Sequence, residues 1–201
     1  MKRVGVVLRI EETDSISKHY VRDSLINKLI RYDIEIICIP ITNKLDNIFT
    51  VINSCDGIIL PGGDDINDID IKIIKFCHKK DIPTLGICLG MQEMSFYNKG
   101  LINDLNDDSH YNTYHDIKIN KDSLLYNILK KDRTLVNSIH KSFVYKSNFD
   151  VSAISEDNII EAIEDKSKRF FLGVQWHPER MEEGESTLLF DYFISNLWKF
   201  T

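Results

Sequence analysis

One short pattern in the sequence could make a cysteine reactive: residues 86–90 read GICLG, where a predicted strand meets a predicted helix. A G-x-nucleophile-x-G turn projects its central side chain, here Cys88, out of a sheet. Both flanking glycines are needed because a side chain there would collide with the neighbouring backbone. A thiol at a helix N-terminus faces unpaired N–H groups, which favour the thiolate. Cys88 is therefore the candidate nucleophile; the alternative is a small buried hydrophobic residue.

A cysteine nucleophile needs a base, and the base needs a group that orients it. Residues 173–179 read GVQWHPE and follow another predicted strand. Because Pro178 keeps this segment out of a helix, His177 and Glu179 can face the same side. The carboxylate can then hold one tautomer of the imidazole while the other ring nitrogen faces Cys88. We expect Cys88, His177 and Glu179 to form a catalytic triad.

A third pattern could supply donors to an oxyanion. Residues 57–64 read GIILPGGD, a strand followed by two glycines with exposed backbone N–H groups. Attack on an acyl carbon creates an oxyanion that two pre-aimed donors stabilise. We expect these donors to be the N–H groups of Gly63 and of Leu89, with Gly62 beside the substrate. An ordinary turn is the alternative for the two glycines.

The first half of the chain alternates strands with helices. Strands are predicted over 4–10, 34–39, 57–60 and 83–87, and helices over 17–31, 45–52, 68–80 and 89–97. Runs of β-branched residues favour buried strands, and apolar residues at helical spacing favour helices. This order predicts an α/β fold with an open, mainly parallel central sheet and helices on both faces. Sites in such sheets lie beyond the carboxyl ends of the strands.

The second half has shorter predicted strands. After a polar loop at 103–112, the strands are predicted over 116–120, 134–136, 151–155, 159–163 and 170–174, spaced like antiparallel pairs. A closing helix is predicted over 185–200. Because no repeat or linker interrupts the sequence, we expect residues 1–201 to form a single domain.

Composition excludes several classes of partner. The chain of 201 residues carries 25 Lys and Arg against 31 Asp and Glu, a formal charge of −6. No general field therefore attracts nucleic acid or anionic lipid. No apolar run approaches the roughly 18 residues of a membrane span, and the first is too short for a signal peptide. We expect a cytoplasmic protein with a small-molecule substrate.

The remaining cysteines and two histidines give no metal-site pattern. Cys38, Cys55 and Cys77 lack CxxC spacing, so we expect reduced, buried thiols. His110 and His115 fall in a polar segment, where surface positions are expected rather than metal ligands. We expect neither a metal nor a cofactor.

The three motifs together, from Gly57 to Glu179, resemble the class I (triad) glutamine amidotransferase superfamily. The resemblance implies a flavodoxin-like fold and a thioester mechanism. Cys88 would attack a γ-glutamyl carbonyl, ammonia or an amine would leave, and water would release glutamate. Gln92 matches the family glutamine that contacts the amino-acid end of the substrate.

Two further segments resemble the γ-glutamyl hydrolase branch, peptidase C26. They are residues 19–21 (HYV), at the opening of the first predicted helix, and residues 136–140 (VNSIH). The resemblance implies that Asn137, Ser138 and His140 face the glutamyl part of the substrate. For Ser138 and His140 the alternative is a strand edge hydrogen-bonded to solvent.

The compact chain is also similar to the bacterial γ-glutamyl-CDP-amidate hydrolases of capsular phosphoramidate synthesis. A nucleotide conjugate as substrate needs cations near its phosphates, and Arg9 and Lys141 are the expected ones. Either could instead be a solvated surface charge. A bulky leaving group also requires a mouth above Cys88 that is open to solvent, and no obligatory synthetase partner is expected.

Two other functions remain open from the sequence. One is a glutaminase subunit that delivers ammonia to a separate synthetase chain. The other is a binding or regulatory protein with a silent site. A silent site has no requirement for an intact set of Cys88, His177 and Glu179, which argues against it.

Overall fold

The computed structural model describes residues 1–14, 16–182 and 184–197. The strands are β1 Lys2–Val7, β2 Arg9–Glu12, β3 Ser17–Tyr20, β4 Ile34–Ile39, β5 Gly57–Leu60, β6 Thr84–Ile87, β7 Leu101–Asp104, β8 Tyr111–Ile119, β9 Arg133–Ile139, β10 Ser142–Lys146, β11 Asp150–Ser155, β12 Ile160–Glu164 and β13 Phe171–Val174. The helices are α1 Asp23–Leu29, α2 Leu45–Asn53, α3 Asp68–Lys80, α4 Leu89–Tyr97, α5 Leu124–Leu129 and α6 Glu185–Ser195.

A large mixed sheet runs through the molecule in the order β4-β1-β5-β6-β13-β12-β11-β8-β9. The strands from β4 to β13 in this order pair in parallel. The strands beyond β13 pair antiparallel. Outside this order, β10 pairs with β12, and β7 pairs with β10. Helical crossovers connect the parallel strands of the first half. This confirms the expected α/β fold with a mainly parallel sheet and helices on both faces.

The apolar core forms two layers, one on each face of the sheet. Leu25 of α1 and Phe193 of α6 belong to one layer, whereas Ile73 of α3 and Met94 of α4 belong to the other. Alternate residues of the parallel strands supply both layers, as the side-chain period of a strand requires. Both faces of the sheet are therefore covered. A ligand can approach the sheet at the ends of its strands.

Four neighbouring parallel strands bring the candidate site together at their carboxyl ends. The order β1-β5-β6-β13 places Arg9 beyond β1, Gly62 beyond β5, Cys88 beyond β6 and His177 beyond β13. Residues that are far apart in sequence thus meet at one edge, where the parallel sheet rule expects a ligand.

The N-terminal elements differ from those predicted. The helix expected over 17–31 begins only at Asp23, and Ser17–Tyr20 instead pairs antiparallel with Arg9–Glu12. The apolar helical pattern starts only at Val21, so residues 17–20 had no buried helical face to stabilise them. His19 and Tyr20 therefore lie in a hairpin and do not open a helix, and the strand expected over 4–10 is divided between β1 and β2.

Two short strands and one short α-helix of the second half were not predicted: β7, β10 and α5. Two of them are strands of four and five residues, and α5 has six residues with the Ser123 hydroxyl accepting from the Tyr126 N–H at 3.0 Å. Such short elements depend on tertiary contacts more than on local pattern. The closing helix ends at Ser195, and residues 198–200 of its predicted span lie outside the described residues.

In the described part of the chain, every helix is too short or too polar to cross a bilayer.

Two glycines set the close contact between β6, α4 and β5. An added Cβ on Gly90 would lie 2.2 Å from the Leu60 carbonyl oxygen. An added Cβ on Gly86 would lie 2.4 Å from the Met94 sulfur and 2.8 Å from the Gly90 carbonyl carbon. Backbone atoms cannot give way as a flexible side chain can, so only glycine fits at residue 90.

We expect Gly90→Ala to lower the melting temperature, although alanine is favoured over glycine inside a helix by about 1 kcal/mol. The comparison variant is Gly184→Ala, where φ is +92° and an added Cβ meets no described atom within 4 Å, so it introduces backbone strain without a collision. Circular dichroism melts of both variants should give the larger loss for Gly90→Ala. Equal stability of Gly90→Ala and the wild-type chain would contradict the steric account.

Candidate active site

Cys88 lies in the tight turn between β6 and α4, as the sequence pattern predicts. Its backbone has a φ of 52° and a ψ of −105°, a left-handed conformation that is strained for a residue with a side chain. Its N–H donates to the Val174 carbonyl of β13 at 2.8 Å, which ties the turn to the strand that leads to His177. The residue is only 6% exposed. The thiol therefore lies at the base of the site, and the open mouth expected above it stays a prediction.

His177 and Glu179 come together as expected, but within a 3-10 turn. The turn spans Pro178–Arg180 and begins at the proline, so the segment does not continue as an extended strand. His177 Nδ1 lies 2.7 Å from Glu179 Oε1, and both side chains are buried. This contact holds the imidazole so that its other nitrogen is left for Cys88.

The imidazole has a raised proton affinity. Burial lowers the pKa of His177, but hydrogen bonds to the Cys88 thiol and to the Glu179 carboxylate outweigh it and bring the pKa to about 9. His177 therefore holds its proton at neutral pH. A protonated imidazole beside a thiol favours the thiolate, which is the nucleophilic form.

Gln175 is a site residue that the sequence reasoning missed. Its Nε2 donates to Cys88 Sγ at 3.6 Å, and its Oε1 accepts from Gln92 Nε2 at 3.2 Å. The signal was present, because Gln175 and His177 are two residues apart after the same strand. Gln92 also donates to the Ser142 carbonyl at 2.8 Å. Both amide hydrogens of Gln92 are thus used within the chain, one of them to position Gln175. The amide oxygen of Gln92 is the atom that could accept from a substrate.

The two glycines after β5 lie against the other parts of the site. An added Cβ on Gly62 would be 2.6 Å from His177 Cε1 and 3.5 Å from Cys88 Cβ. An added Cβ on Gly63 would be 2.9 Å from Leu89 Cδ2. The structure thus brings together Gly62, Gly63 and Leu89. A side chain on Gly62 would collide with the His177 ring, and one on Gly63 would press on Leu89 and Arg9.

Arg9 is not the free cation that the sequence suggested. It is 4% exposed, and its guanidinium contacts Asp70 Oδ2 at 2.6 Å and Glu93 Oε2 at 3.1 Å. Its Nε also donates to the Pro61 carbonyl at 3.0 Å. These partners already use the guanidinium, so the phosphate role expected for Arg9 is wrong. Instead, Arg9 holds the peptide that leads into Gly62.

Arg9 has two carboxyl partners, so a proton balances the buried charges. Burial raises the pKa of Glu93, Arg9 opposes that rise, and the neighbouring Asp70 carboxylate adds to it. Glu93 therefore keeps its proton at pH values where an exposed glutamate has lost it. One cation, one carboxylate and one carboxylic acid then form a neutral group, which avoids the cost of an unpaired buried charge.

Asn137 and Ser138 are buried behind the triad. The Asn137 side chain donates to the His177 carbonyl at 2.9 Å and accepts from the His177 N–H at 2.8 Å. The Ser138 hydroxyl is fully buried and donates to the His110 carbonyl at 2.9 Å. Contrary to the expectation of substrate contact, Asn137 fixes the backbone of His177 and Ser138 fixes a neighbouring loop.

His140 is buried and Lys141 is exposed. His140 Nδ1 lies 3.1 Å from the Ser142 carbonyl, and burial, with a contribution from His110, lowers the pKa of His140 to about 3. The solvent-bonded strand edge considered for Ser138 and His140 is therefore wrong. The Lys141 ammonium lies 4.9 Å from the centre of the Tyr111 ring. Lys141 thus remains a cation that a ligand could reach.

Two histidines and one cysteine differ in burial from what the sequence predicts. His110 is 3% exposed, and His115, in β8, is half-buried, so neither is a surface residue. Both belong to a polar cluster that burial between strands creates and that no local pattern marks. Cys38 is exposed because it lies on β4, at the edge of the sheet, whereas Cys55 and Cys77 are buried as expected.

A cleft of about 440 Å³ reaches Gly63 and Leu89 from the surface. Its outer wall carries acidic side chains: Glu11, Glu12, Asp64 and Asp65. A group with several negative charges would be repelled there, whereas an ammonium group would be attracted. The cleft therefore restricts which part of a substrate could lie in it.

Comparisons with known proteins agree with this geometry. Residues 67–179 match the Peptidase C26 family. A Schizosaccharomyces pombe protein named "Putative glutamine amidotransferase" is 32% identical over 70% of this chain and 69% of its own length. A GMP synthase [glutamine-hydrolyzing] of Francisella tularensis subsp. novicida is 29% identical over 70% of this chain, but the match spans only 27% of that protein.

A solved structure has the same fold. The glutaminase domain of Trypanosoma brucei CTPS, with bound acivicin, superposes with a TM-score of 0.78 at 20% identity. The superposition covers 98% of this chain and 94% of that one. At this identity the likeness concerns the fold alone.

The first prediction from the site concerns the charge of Glu179. We expect Glu179→Gln to lower the pKa of His177 from about 9, because the carboxylate contributes to the raised value. The protonated imidazole is then lost at lower pH, so the alkaline limb of kcat/KM moves to lower pH. The loss of rate should be smaller than that of His177→Ala, for which about 10² to 10⁴ is expected. Glu182→Gln, on the exposed side of the same segment, is the control, and an unmoved alkaline limb in Glu179→Gln would refute the assignment.

The second prediction concerns the buried carboxyl pair. Folding takes up a proton at Glu93, so the free energy of unfolding should fall as the pH rises above the ordinary pKa of glutamate. Glu93→Gln removes the titrating group and keeps the hydrogen-bonding shape. Urea unfolding between about pH 5 and about pH 8 should therefore show a flatter pH dependence in Glu93→Gln than in the wild-type chain. Glu156→Gln, in an exposed ion pair, should keep the wild-type slope; equal slopes for all three proteins would contradict the shared proton.

Proposed function

The chain belongs to the Peptidase C26 family, and we propose that it is a cysteine hydrolase that cleaves a γ-glutamyl amide bond and releases glutamate. The observation that carries the proposal is that Cys88, His177 and Glu179 come together at the carboxyl ends of parallel strands. His177 Nδ1 lies 2.7 Å from Glu179 Oε1, and Gly62 lies against both the His177 ring and Cys88 Cβ. A structural cysteine has no need of a protonated imidazole beside it. Asn137 and Gln175 add support, because they fix the base and the sulfur without needing a substrate.

The proposed reaction begins with the Cys88 thiolate attacking the γ-carbonyl carbon. A C–S bond forms, and the carbonyl electrons move to oxygen. We assign the stabilisation of this oxyanion to the N–H groups of Leu89 and Gly63. The C–N bond then breaks, and the proton on His177 passes to the leaving nitrogen.

Water completes the proposed cycle. His177, now neutral, takes a proton from water as the oxygen attacks the thioester carbon. A second oxyanion forms at the same donors and collapses as the C–S bond breaks. Glutamate leaves, and the Cys88 thiolate and protonated His177 are restored. Glu179 keeps the imidazole oriented through both steps.

For the substrate we propose a γ-glutamyl conjugate with a nucleotide leaving group, γ-glutamyl-CDP-amidate, which would yield cytidine diphosphoramidate. The similarity of the motifs to capsular phosphoramidate enzymes supports this substrate. The acidic cleft and the occupied Arg9 mean that a diphosphate would have to lie on the side of Lys141. Lys141 precedes Ser142, whose carbonyl binds Gln92, so it stands beside the wall of the site.

The alternative function is a glutaminase subunit that passes ammonia to a separate synthetase. The likeness to part of a GMP synthase named as glutamine-hydrolyzing favours this alternative. The low exposure of Cys88 also fits a small substrate such as glutamine. The two functions differ in one measurable property: whether the isolated chain prefers a bulky γ-glutamyl conjugate or free glutamine.

We expect the isolated chain to release glutamate from γ-glutamyl-CDP-amidate much faster than from glutamine. Lys141→Ala should raise KM for the conjugate more than it lowers kcat, and Lys146→Ala is the matched exposed control. Glutamate is measured by a coupled assay and the phosphoramidate by ³¹P NMR. A preference for glutamine, or activity only after a synthetase chain is added, would establish the alternative.

The nucleophile is tested in the same assay. Cys88→Ala should remove glutamate release from every substrate, whereas Cys38→Ala and Cys77→Ala should retain it. Cys38 is the stringent control because its thiol is exposed and available to reagents. Full activity of Cys88→Ala would end the covalent mechanism, and inactivity of the wild-type chain on all γ-glutamyl amides would favour a binding protein.

A further inference from the structure

A second polar cluster lies close to the catalytic centre and takes no part in the proposed reaction. It consists of His110, His115, His140 and Glu161, which we call the histidine cluster. Measured from Glu161 Oε1, His115 Nε2 is at 3.1 Å, His110 Nδ1 at 3.8 Å and His140 Nε2 at 4.0 Å. The ring centre of His110 lies 4.5 Å from that of His115 and 4.9 Å from that of His140. All three rings therefore point ligand atoms at one carboxylate.

Among the described residues, most of these polar atoms have no hydrogen-bond partner. Both oxygens of Glu161, both ring nitrogens of His115 and Nε2 of His140 are buried and unsatisfied. The contact of 3.1 Å between His115 and Glu161 lacks hydrogen-bond geometry. Glu161 is fully buried, and an unpaired buried carboxylate is costly. A positive charge at this point, either a proton on an imidazole or a metal ion, would satisfy these atoms.

Neighbouring groups orient two of the rings. His110 Nε2 lies 2.9 Å from Asp157 Oδ2 and its Nδ1 lies 3.2 Å from Ser138 Oγ, so binding a metal through Nδ1 would replace the contact with Ser138. His140 Nδ1 lies 3.1 Å from the Ser142 carbonyl, so its proton faces that oxygen and leaves a lone pair on Nε2. Histidines that bind metals commonly donate their other ring N–H to a carboxylate or a carbonyl in this way.

We propose that the histidine cluster binds a divalent transition metal ion of the zinc class. Three imidazoles and one carboxylate suit zinc, whereas calcium and magnesium prefer oxygen ligands. The ligand atoms of His110, His115 and Glu161 lie within 4.8 Å of one another. Tetrahedral zinc with bonds of about 2.0–2.1 Å needs ligand atoms about 3.3 Å apart. Small side-chain movements would close the site, with His140 as the fourth ligand.

The metal would connect strands that position the triad. His115 lies in β8, His140 follows β9 and Glu161 lies in β12. The Glu161 carbonyl accepts from the Gln175 N–H at 2.8 Å, and Asn137, which clamps His177, lies on β9. Because the ligands are mostly buried, the ion would be structural, with no open position for water. The metal ion would fix the strands that position Asn137 and Gln175. This role does not depend on the proposed substrate.

The test uses the full chain carrying Cys88→Ala, because the thiolate with His177 could itself bind zinc. After treatment with a chelator, zinc binding is measured by calorimetry and metal analysis, and the site geometry by Co²⁺ absorption. We expect one zinc ion per chain, a tetrahedral Co²⁺ spectrum, and a higher melting temperature with zinc. Since this protein lacks the nucleophile, failure of the metal proposal and failure of the proposed hydrolysis are separate results.

Three variants in the Cys88→Ala protein test whether zinc binds at the histidine cluster. His115→Ala removes the ligand with the most exposed side chain, so it disturbs folding least, and it should abolish the zinc-dependent rise in melting temperature. Asp157→Asn changes a half-exposed partner of His110 and should weaken zinc binding by about 10–100-fold. His78→Gln removes a histidine outside the cluster and should bind zinc like its parent.

Three results would overturn the proposal. The first is no zinc bound by the parent protein, which would mean that protons alone neutralise the cluster. The second is equal binding by the parent and His115→Ala, which would mean adventitious metal elsewhere on the chain. The third is an octahedral Co²⁺ spectrum in the parent. This result is obtained on the parent alone, so it does not depend on whether a variant folds.

Discussion

Cys88 can meet His177 only because the chain turns from β6 into α4 within one residue, with φ of 52° and ψ of −105°. Such a conformation costs about 1–3 kcal/mol and persists only where the surroundings enforce it. Gly86 allows β6 to approach α4, and Gly90 allows α4 to approach β5. The hydrogen bond from Cys88 N–H to the Val174 carbonyl ties the turn to β13. The direction of the thiol and of the next N–H group follows from that turn.

The loops on both sides of Cys88 are held by side chains that bind backbone. Arg9 holds the Pro61 carbonyl before Gly62, and Asn137 holds both the N–H and the carbonyl of His177. Neither Arg9 nor Asn137 needs to touch a substrate to affect the reaction. Polar groups buried at this edge of the sheet therefore fix geometry, and the charge of Arg9 is balanced by a carboxyl pair that shares a proton.

The parallel half of the fold follows closely from the sequence, because buried strands and amphipathic helices carry strong periodic signals. The ranges of β5, α3 and α4 agree with those predicted. The hairpin at Ser17–Tyr20 was missed since its stability comes from cross-strand pairing. The roles of Arg9 and Gln175 and the burial of His110 were missed for a related reason: each depends on partners distant in sequence, Glu93, Cys88 and Asp157 respectively.

In this mechanism the turn at residue 88 makes Cys88 a covalent nucleophile. Rapid acid quench during turnover of a γ-glutamyl amide, followed by digestion and peptide mass spectrometry, tests it directly. We predict that the peptide containing Cys88 gains the mass of a γ-glutamyl group within the first turnover and loses it as substrate is exhausted. Turnover with this peptide unmodified at every quench time, or a γ-glutamyl group on another residue, would contradict the account.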